Sequence, residues 1–248
     1  MDSGFYAACT ALMARSQALD LVANNLANVS TPGFRAQHEV FRSLLAGSSP
    51  FPMSDLNQTV NNYSVLGDSR FDYSQGNLEK TGSDFDLALQ GSGFFVVRTA
   101  AGRMFTRNGN FHVSAKGRLV TADGDPVLGE TGVIDIVGGP VSISPDGTIS
   151  IDGAVAGKLR VVDFPPGTAL ESVGKSYYSA PPKSEVAAPG ASIVQGSLET
   201  SNVNPVADAV ELITLQRNAE LVQRALSMFH SDINQIAAQD LPRILPNP

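Results

Sequence analysis

The sequence predicts a mixed fold in which long α-helices at the two chain ends form a coiled-coil domain and a mainly antiparallel β domain lies between them. Two observations lead to this prediction. Apolar residues recur with seven-residue spacing near both ends of the chain. Between these ends, short apolar runs alternate with glycine-containing turn pairs. We expect residues 1–35 and 200–248 to form the helical domain, 36–80 an extended connector, and 81–199 the β domain.

The N-terminal helix is predicted over residues 3–29. One apolar line along it consists of Phe5, Leu12, Leu19 and Leu26. A second line, three positions behind, is interrupted by Arg15. The run Ser30-Thr31-Pro32-Gly33 should end the helix, because proline cannot continue it and biases the preceding residue out of the helical region.

The C-terminal helix carries the more regular apolar pattern. Asn204 is a good N-cap and Pro205 suits the first helical position, so we expect the helix to run from there to about Ala238. Steps of three and four residues connect Leu212, Leu215, Ala219, Val222, Leu226, Phe229, Ile233 and Ile236.

The middle of the chain has the pattern of hairpins. Asn-Gly and Asp-Gly pairs supply the positive φ angles of tight turns, and their recurrence favours antiparallel sheet over βαβ units. Candidate strands lie between Asp86 and Phe164. The turn pairs are Asn108-Gly109, Lys116-Gly117, Asp123-Gly124, Asp146-Gly147 and Asp152-Gly153, preceded by Gly91-Ser92-Gly93.

Composition excludes several classes of function. The net charge of −7 and pI near 4.9 disfavour nucleic-acid binding, which needs a basic face. No apolar run approaches the roughly 20 residues of a membrane-spanning helix, so we expect no membrane insertion. The N-terminus lacks the basic start and short apolar block of a cleaved signal peptide, so any export should use another route.

Residues that could carry chemistry do not form a recognisable active site. His38, His112 and His230 stand apart from one another and from Cys9, which disfavours a metal centre. Asp123-Gly124-Asp125 lacks the other ligands of a calcium loop and reads as a turn. Asp84 and Asp86 are better explained as two carboxylates at a strand edge. Gly91-Ser92-Gly93 is better explained as a turn that precedes a strand. We expect no enzymatic activity, cofactor or metal.

Three asparagines, Asn24, Asn25 and Asn28, lie near the end of the N-terminal helix. Asparagine costs helicity in a helix interior, so local propensity does not explain them. We expect a polar network in which their amides bond the backbone of the following turn or a neighbouring helix.

The segment that contains these asparagines, ANNLANVSTPGFR, resembles the signature of the bacterial flagellar rod and hook family. Three further segments resemble family motifs in the same order, and the match covers nearly the whole chain. They are LALQGSGFFVV at Leu87–Val97, FTRNGNF at Phe105–Phe111, and QGSLETSNV at Gln195–Val203 followed by Gln216-Arg217 and Glu220. Within the family, the opening Met1-Asp2 and the run STPGFRAQ look most like the proximal-rod members, with the distal-rod members as close competitors.

The resemblance implies a structural subunit of the flagellar basal-body rod that polymerises helically in the periplasm. It implies export by the flagellar type III apparatus without a cleaved signal peptide, and contacts with itself and with other flagellar axial proteins. Assembly residues are expected in the signature and in both apolar seams. They are Asn24, Asn25, Asn28, Pro32, Gly33, Phe34, Leu12, Leu19, Leu26, Leu212, Leu215, Val222, Leu226, Phe229, Ile233 and Ile236.

A second function class stays open at this point. The chain could be an exported protein whose β domain binds carbohydrate or cell wall and whose helices serve only for dimerisation. Retention of flagella after deletion of the gene, together with capture of a sugar ligand, would favour this alternative over a rod subunit.

Overall fold

The structure is a computed structural model that describes residues 2–39, 69–174 and 176–240. Side-chain surroundings are described for residues 9–38, 70–174, 176–224 and 226–227. Most of the predicted connector, residues 40–68, and the tail at residues 241–248 lie outside the described part of the chain.

Two helices occupy the ends of the described chain. Helix α1 spans Asp2–Ala27 and helix α2 spans Pro205–Asp240. Helix α2 begins where the Asn204-Pro205 pair predicts. Helix α1 ends two residues before the predicted limit because a turn forms at Asn28, whose carbonyl accepts the Thr31 amide at 3.1 Å.

The prediction of long terminal helices that form a coiled-coil domain is wrong. The buried residues that α1 and α2 share form one cluster of Ala18, Val22 and Leu215, with Leu19 and Leu212 partly buried against it. A coiled coil needs large apolar residues that interlock over successive heptads. Helix α1 presents alanines and Arg15 among its leucines, so its described residues do not supply such a seam.

The middle of the chain is mainly antiparallel β, as predicted. Its nineteen described strands are β1 Gln37–Glu39, β2 Ser69–Phe71, β3 Leu78–Lys80, β4 Leu87–Gln90, β5 Phe94–Thr99, β6 Gly102–Thr106, β7 Phe111–Val113, β8 Leu119–Thr121, β9 Leu128–Gly129, β10 Gly132–Val133, β11 Val141–Ile143, β12 Thr148–Ile151, β13 Ala154–Lys158, β14 Val161–Asp163, β15 Glu171–Val173, β16 Tyr177–Ser179, β17 Val186–Ala187, β18 Ser192–Gln195 and β19 Ser197–Glu199. Strands β15 to β19 follow Phe164, beyond the region where strands were predicted.

One six-stranded sheet and several smaller sheets make up this β region. The large sheet has the order β15-β16-β6-β5-β14-β17, and a three-stranded sheet has the order β11-β12-β13. Strand pairs far apart in sequence also form, since β18 pairs with β4 and β19 pairs with β3. These two pairs bring the end of the β region back to its beginning.

The core of the β region is apolar and fully enclosed. Side chains from the six-stranded sheet, the three-stranded sheet and the hairpins meet in it, and its aromatic pair Phe95 and Phe111 stack edge to face at 5.2 Å. Other members with no exposed surface include Leu87, Leu89, Val97, Leu119, Val127 and Ile149. Burial of each such side chain contributes about 1.5 to 3 kcal/mol to folding.

The chain divides into two compact units. The first contains the described parts of residues 1–26, 37–71 and 205–248, and the second contains residues 27–36 and the described parts of 72–204. The chain thus enters the second unit twice and leaves it twice. The domain boundaries predicted from the sequence, with 1–35 and 200–248 as one domain, 36–80 as a connector and 81–199 as another domain, stay a prediction.

Candidate functional site

The three signature asparagines have different surroundings. Asn25 is 1% exposed, and its amide meets the backbone of Gln37 at two points. Its Nδ2 donates to the Gln37 carbonyl at 2.9 Å, and its Oδ1 accepts the Gln37 amide at 3.0 Å. Only a side-chain amide offers both a donor and an acceptor in this geometry. Asn25 therefore ties the last turns of α1 to the start of β1.

Asn28 closes the turn that follows α1. Its Oδ1 accepts the Thr31 hydroxyl at 3.1 Å, and its side chain is buried. Asn24, in contrast, has an exposed side chain. The polar network expected from the asparagines is thus present at Asn25 and Asn28.

Gly33 and Phe34 anchor the rest of the signature. Gly33 has a φ of +68°, and a Cβ at this position would lie 2.5 Å from the backbone nitrogen of Asn108. Its amide donates to the Glu199 carbonyl at 2.7 Å. Phe34 is buried in a small cluster with Ala36 and Val203, whereas the preceding Pro32 is partly exposed. A left-handed glycine is required here because two backbones approach closely.

The predicted seam residues of the two helices are partly buried or of intermediate exposure where their side chains are described, apart from Leu215, which is buried. Leu19 and Leu212 are partly buried against the cluster that contains Leu215. Leu12, Leu26, Val222 and Leu226 have intermediate exposure, and the side chains of Phe229, Ile233 and Ile236 lie outside the described set. Their role in assembly stays a prediction.

A buried cluster of three charged residues, Arg35, Arg107 and Glu199, lies in the second unit. The Arg35 Nη2 atom is 2.7 Å from Oε1 of Glu199, and the Arg107 Nη2 atom is 2.8 Å from Oε2. The side chain of Glu199 is 0% exposed. We call this group the Arg-Glu-Arg cluster.

Each carboxylate oxygen of Glu199 also accepts a further hydrogen bond. Oε1 also accepts the Gly76 amide at 3.0 Å, and Oε2 also accepts Nε of Arg107 at 2.8 Å. Charge-assisted hydrogen bonds of this kind are roughly twice as strong as neutral ones. Because two guanidinium groups face one carboxylate, the buried cluster carries one net positive charge.

The guanidinium of Arg107 also donates hydrogen bonds to three backbone carbonyls. It donates to Gly91 at 2.9 Å, Gly93 at 2.7 Å and Leu89 at 3.1 Å. Burial lowers the pKa of Arg107 below its ordinary value, and the carboxylate of Glu199 opposes this shift. Arginine keeps its charge in proteins, so this side chain acts as a fixed cross-link between strands.

Asn202 joins the segments that surround the cluster. Its Oδ1 accepts the Ala36 amide at 2.7 Å, and its Nδ2 donates to the carbonyls of Asp72 at 2.9 Å and Ser74 at 3.1 Å. Arg35 also donates to the Ser74 carbonyl. All three segments by which the chain enters and leaves the second unit are therefore held together.

The family-like motifs meet at this cluster. Arg35 ends the first motif, Gly91 and Gly93 belong to the second, Arg107 to the third and Glu199 to the fourth. Sequence reasoning did not select Arg35, Arg107 or Glu199 as site residues. One signal could have indicated them, since each is a charged residue inside a motif that is otherwise apolar, small or amide-rich.

The residues considered for chemistry form no catalytic arrangement among the described side chains. His38 and His112 are exposed, and His230 lies outside the described side chains. Asp86 is buried and accepts Nδ2 of Asn110 at 3.1 Å, whereas Asp84 is exposed. Gly124 occupies a turn with φ +86°. No group of three or more His, Cys, Asp or Glu in the described residues could hold a metal ion.

A cleft of about 400 Å³ opens beside the Arg-Glu-Arg cluster. Its rim includes Ser92, whose hydroxyl donates to Asp163 at 2.6 Å, and no histidine lines it. A serine without an adjacent base is not an activated nucleophile. As to membrane spans, no helix in the described parts of the chain is long and apolar enough to form one.

Comparison with known protein families identifies three matching regions. Residues 5–35 match the flagella basal body rod protein model, 88–151 the flagellar hook protein FlgE/F/G D1 domain, and 194–238 the flagellar basal body rod FlgEFG protein C-terminal region. These regions contain the motifs that meet at the Arg-Glu-Arg cluster.

Individual relatives match over almost the whole chain. The flagellar basal-body rod protein FlgF of Caulobacter vibrioides is 33% identical, over 98% of this chain and 100% of its own length. The FlgF protein of Salmonella typhimurium is 34% identical, over 92% of this chain and 94% of its own. The FlgG protein of Buchnera aphidicola from Acyrthosiphon pisum is 32% identical, over 88% and 92%.

These matches confirm the resemblance inferred from the sequence, to FlgF with FlgG as the close competitor. The chain belongs to the family of flagellar basal-body rod proteins.

Proposed function

We propose that this chain is a non-enzymatic structural subunit of the flagellar basal-body rod and that it polymerises helically through its terminal helices. The observation that supports a structural role is the Arg-Glu-Arg cluster. Three charged side chains of the family motifs, Arg35, Arg107 and Glu199, are buried and paired with one another. They lie where Asn202 holds together the segments by which the chain enters and leaves the second unit. Residues whose charged groups are bonded to one another within the chain serve architecture, since an active site needs groups that are free to act on a substrate.

Polymerisation through the helices is supported by what the helices leave uncovered. Helix α2 exposes large apolar side chains at Val206, Val210, Ile213 and Leu221, and α1 exposes Met13. Apolar surface that remains in water in a single chain favours association with another surface.

The subunit contacts other copies of itself and other axial proteins of the rod, and it reaches the periplasmic basal body through the flagellar type III export apparatus. We expect no nucleic-acid partner, because a face that binds the phosphate backbone needs clustered basic residues and the chain is acidic.

The proposal is tested by incorporation into basal bodies. The tagged full-length chain replaces the native gene, basal bodies are isolated, and the tag is quantified in Val210→Asp and in Val155→Asp. Val210 is exposed on α2, and Val155 is exposed on β13 in the second unit. We expect Val210→Asp to abolish incorporation and Val155→Asp to retain it.

Two results would contradict the proposal. If the unaltered chain is absent from purified basal bodies, the rod role is wrong. If Val210→Asp and Val155→Asp incorporate equally well, polymerisation through the helices is wrong. Circular dichroism of both purified variants controls for loss of folding.

A further inference from the structure

Helix α2 has two apolar faces on opposite sides. The inner face contains Leu212, Leu215 and Ala219, and it packs on Ala18 and Val22 of α1 through the cluster at Leu215. The outer face consists of Val206, Val210, Ile213 and Leu221, of which Val206 is 74% and Leu221 61% exposed. At 3.6 residues per turn, the centres of these faces are about 180° apart. A single contact with α1 therefore covers only one of them.

Helix α1 also has an outer face, opposite Ala18 and Val22. It consists of Met13, Ser16, Asp20 and Ala23, which follow one another in steps of three and four and are all exposed. Apart from Met13, these side chains are short. Large side chains on the outer face of α2 and short ones on the outer face of α1 are complementary in volume.

The charges of the two outer faces are also complementary. Arg217 is exposed and lies four residues from Ile213 and from Leu221, in the middle of the outer face of α2. Asp20 is the charged member of the outer face of α1. The next arginine along the α2 line, Arg224, is already 3.6 Å from Glu220 in the same helix. Neither Asp20 nor Arg217 forms an ion pair with another described side chain of the chain.

Asp20 and Arg217 of one chain cannot meet. Their helices contact each other through the inner faces, so the two outer faces point in opposite directions. A pair between these two residues can form only between different copies of the chain.

We propose that the outer face of α2 docks on the outer face of α1 in a second copy of this chain, with Arg217 paired to Asp20. This inference rests on the proposed function, because it identifies the surfaces by which the helices polymerise. The contact joins two different surfaces, so each copy keeps one free surface of each kind after pairing. Such heterologous contacts generate rings if the rotation closes and open helical filaments if it does not.

The test uses charge reversal in the purified full-length chain. Sedimentation is measured over a range of concentrations for Asp20→Arg alone, for Arg217→Asp alone, and for an equal mixture of the two. Each variant alone places like charges at every contact, and we expect its association constant to fall on the order of tenfold or more. In the mixture, each variant offers an outer face that matches the other variant, so association should return to that of the unaltered chain.

A matched control reverses a charge elsewhere on α2. Glu211 is exposed and lies outside the outer face, so Glu211→Arg should associate like the unaltered chain. Circular dichroism verifies that all variants stay folded. Higher salt should weaken association of the unaltered chain, because an exposed ion pair is screened.

Several outcomes would overturn the inference. They are an unaltered chain that stays monomeric, reversal variants that associate normally, and a mixture that behaves like its components. Recovery of the unaltered chain in basal bodies combined with any of these results leaves the rod role intact and rejects only this pair of surfaces. Absence of the unaltered chain from basal bodies rejects the proposed function instead, whatever the sedimentation result.

Discussion

Oε2 of Glu199 accepts Nε of Arg107 at 2.8 Å and lies 2.8 Å from Nη2 of the same guanidinium. The two residues are 92 positions apart. The other oxygen, Oε1, forms an ion pair with Arg35 and accepts a hydrogen bond from the Gly76 amide. One carboxylate thus connects the segment after α1, the connection between β6 and β7, and the last strand of the second unit.

Removing the charge of Glu199 should strongly destabilise the chain. Glu199→Gln keeps the volume but leaves two buried guanidinium groups facing a neutral amide, and we expect the free energy of unfolding to fall by about 3 to 5 kcal/mol. Glu130→Gln is the control, because Glu130 forms an exposed pair with Lys158 at 3.6 Å. The control should lose about 1 kcal/mol or less. Urea unfolding followed by circular dichroism measures both, and equal losses would contradict the prediction.

Gly33→Ala should be more damaging than the same change at Gly82. Both glycines have positive φ, at +68° and +78°, so both variants pay a similar backbone penalty of about 1 kcal/mol. Only at Gly33 would the new methyl group meet the backbone of Arg107 and Asn108, whereas nothing lies within 4 Å at Gly82. We expect Gly33→Ala to lose about 2 kcal/mol more than Gly82→Ala in denaturant unfolding. Similar losses would show that the backbones can separate at little cost.

Asn25→Asp should weaken the attachment between α1 and β1. The carboxylate still accepts the Gln37 amide, but it cannot donate to the Gln37 carbonyl and repels it. We expect a loss of about 1 to 3 kcal/mol and faster hydrogen exchange at the Gln37 amide. Asn24→Asp serves as the matched control, since its exposed side chain should tolerate the charge. Unchanged exchange at Gln37 in Asn25→Asp would contradict the prediction.

Alkaline pH should destabilise the chain through Tyr178, which is buried, and Tyr177, which is partly buried. Burial raises the pKa of Tyr178 from 10.0 to about 12, and burial also raises the pKa of Tyr177. The folded state holds the phenolic proton more tightly than the unfolded state. The contribution of Tyr178 is therefore fully present below pH 10 and is lost as pH rises from 10 toward 12.

Tyr178→Phe isolates this effect. The unfolding free energy of the unaltered chain should fall by about 1.4 kcal/mol per pH unit for each such tyrosine in this range. The fall should be shallower by about that amount in Tyr178→Phe, because its ring has no proton to lose. Unfolding curves at several pH values, with tyrosinate absorbance as a second probe, measure the difference. Parallel pH profiles for the two proteins would contradict the assignment.

Local patterns predicted some elements because their signals lie within a few residues. The start of α2 follows from Asn204 and Pro205, and the turns at Gly117, Gly124 and Gly147 follow from glycines that adopt positive φ. Strands β15 to β19 were missed because they lie in or beside a proline-rich stretch whose composition resembles a linker. Strands β16 to β19 pair with β6, β14, β4 and β3, respectively, and this long-range pairing leaves no local signal.

The sequence by itself determined the antiparallel character of the middle region, the start of α2, and membership of the rod protein family through its motifs. Tertiary structure decided which charged motif residues are buried together, because Arg35, Arg107 and Glu199 become neighbours only when distant strands pair. It also decided that the apolar heptads, as far as their side chains are described, form no coiled-coil domain. Periodicity shows which residues share a helix face, but contact with large side chains of a partner determines whether that face becomes an interlocked seam.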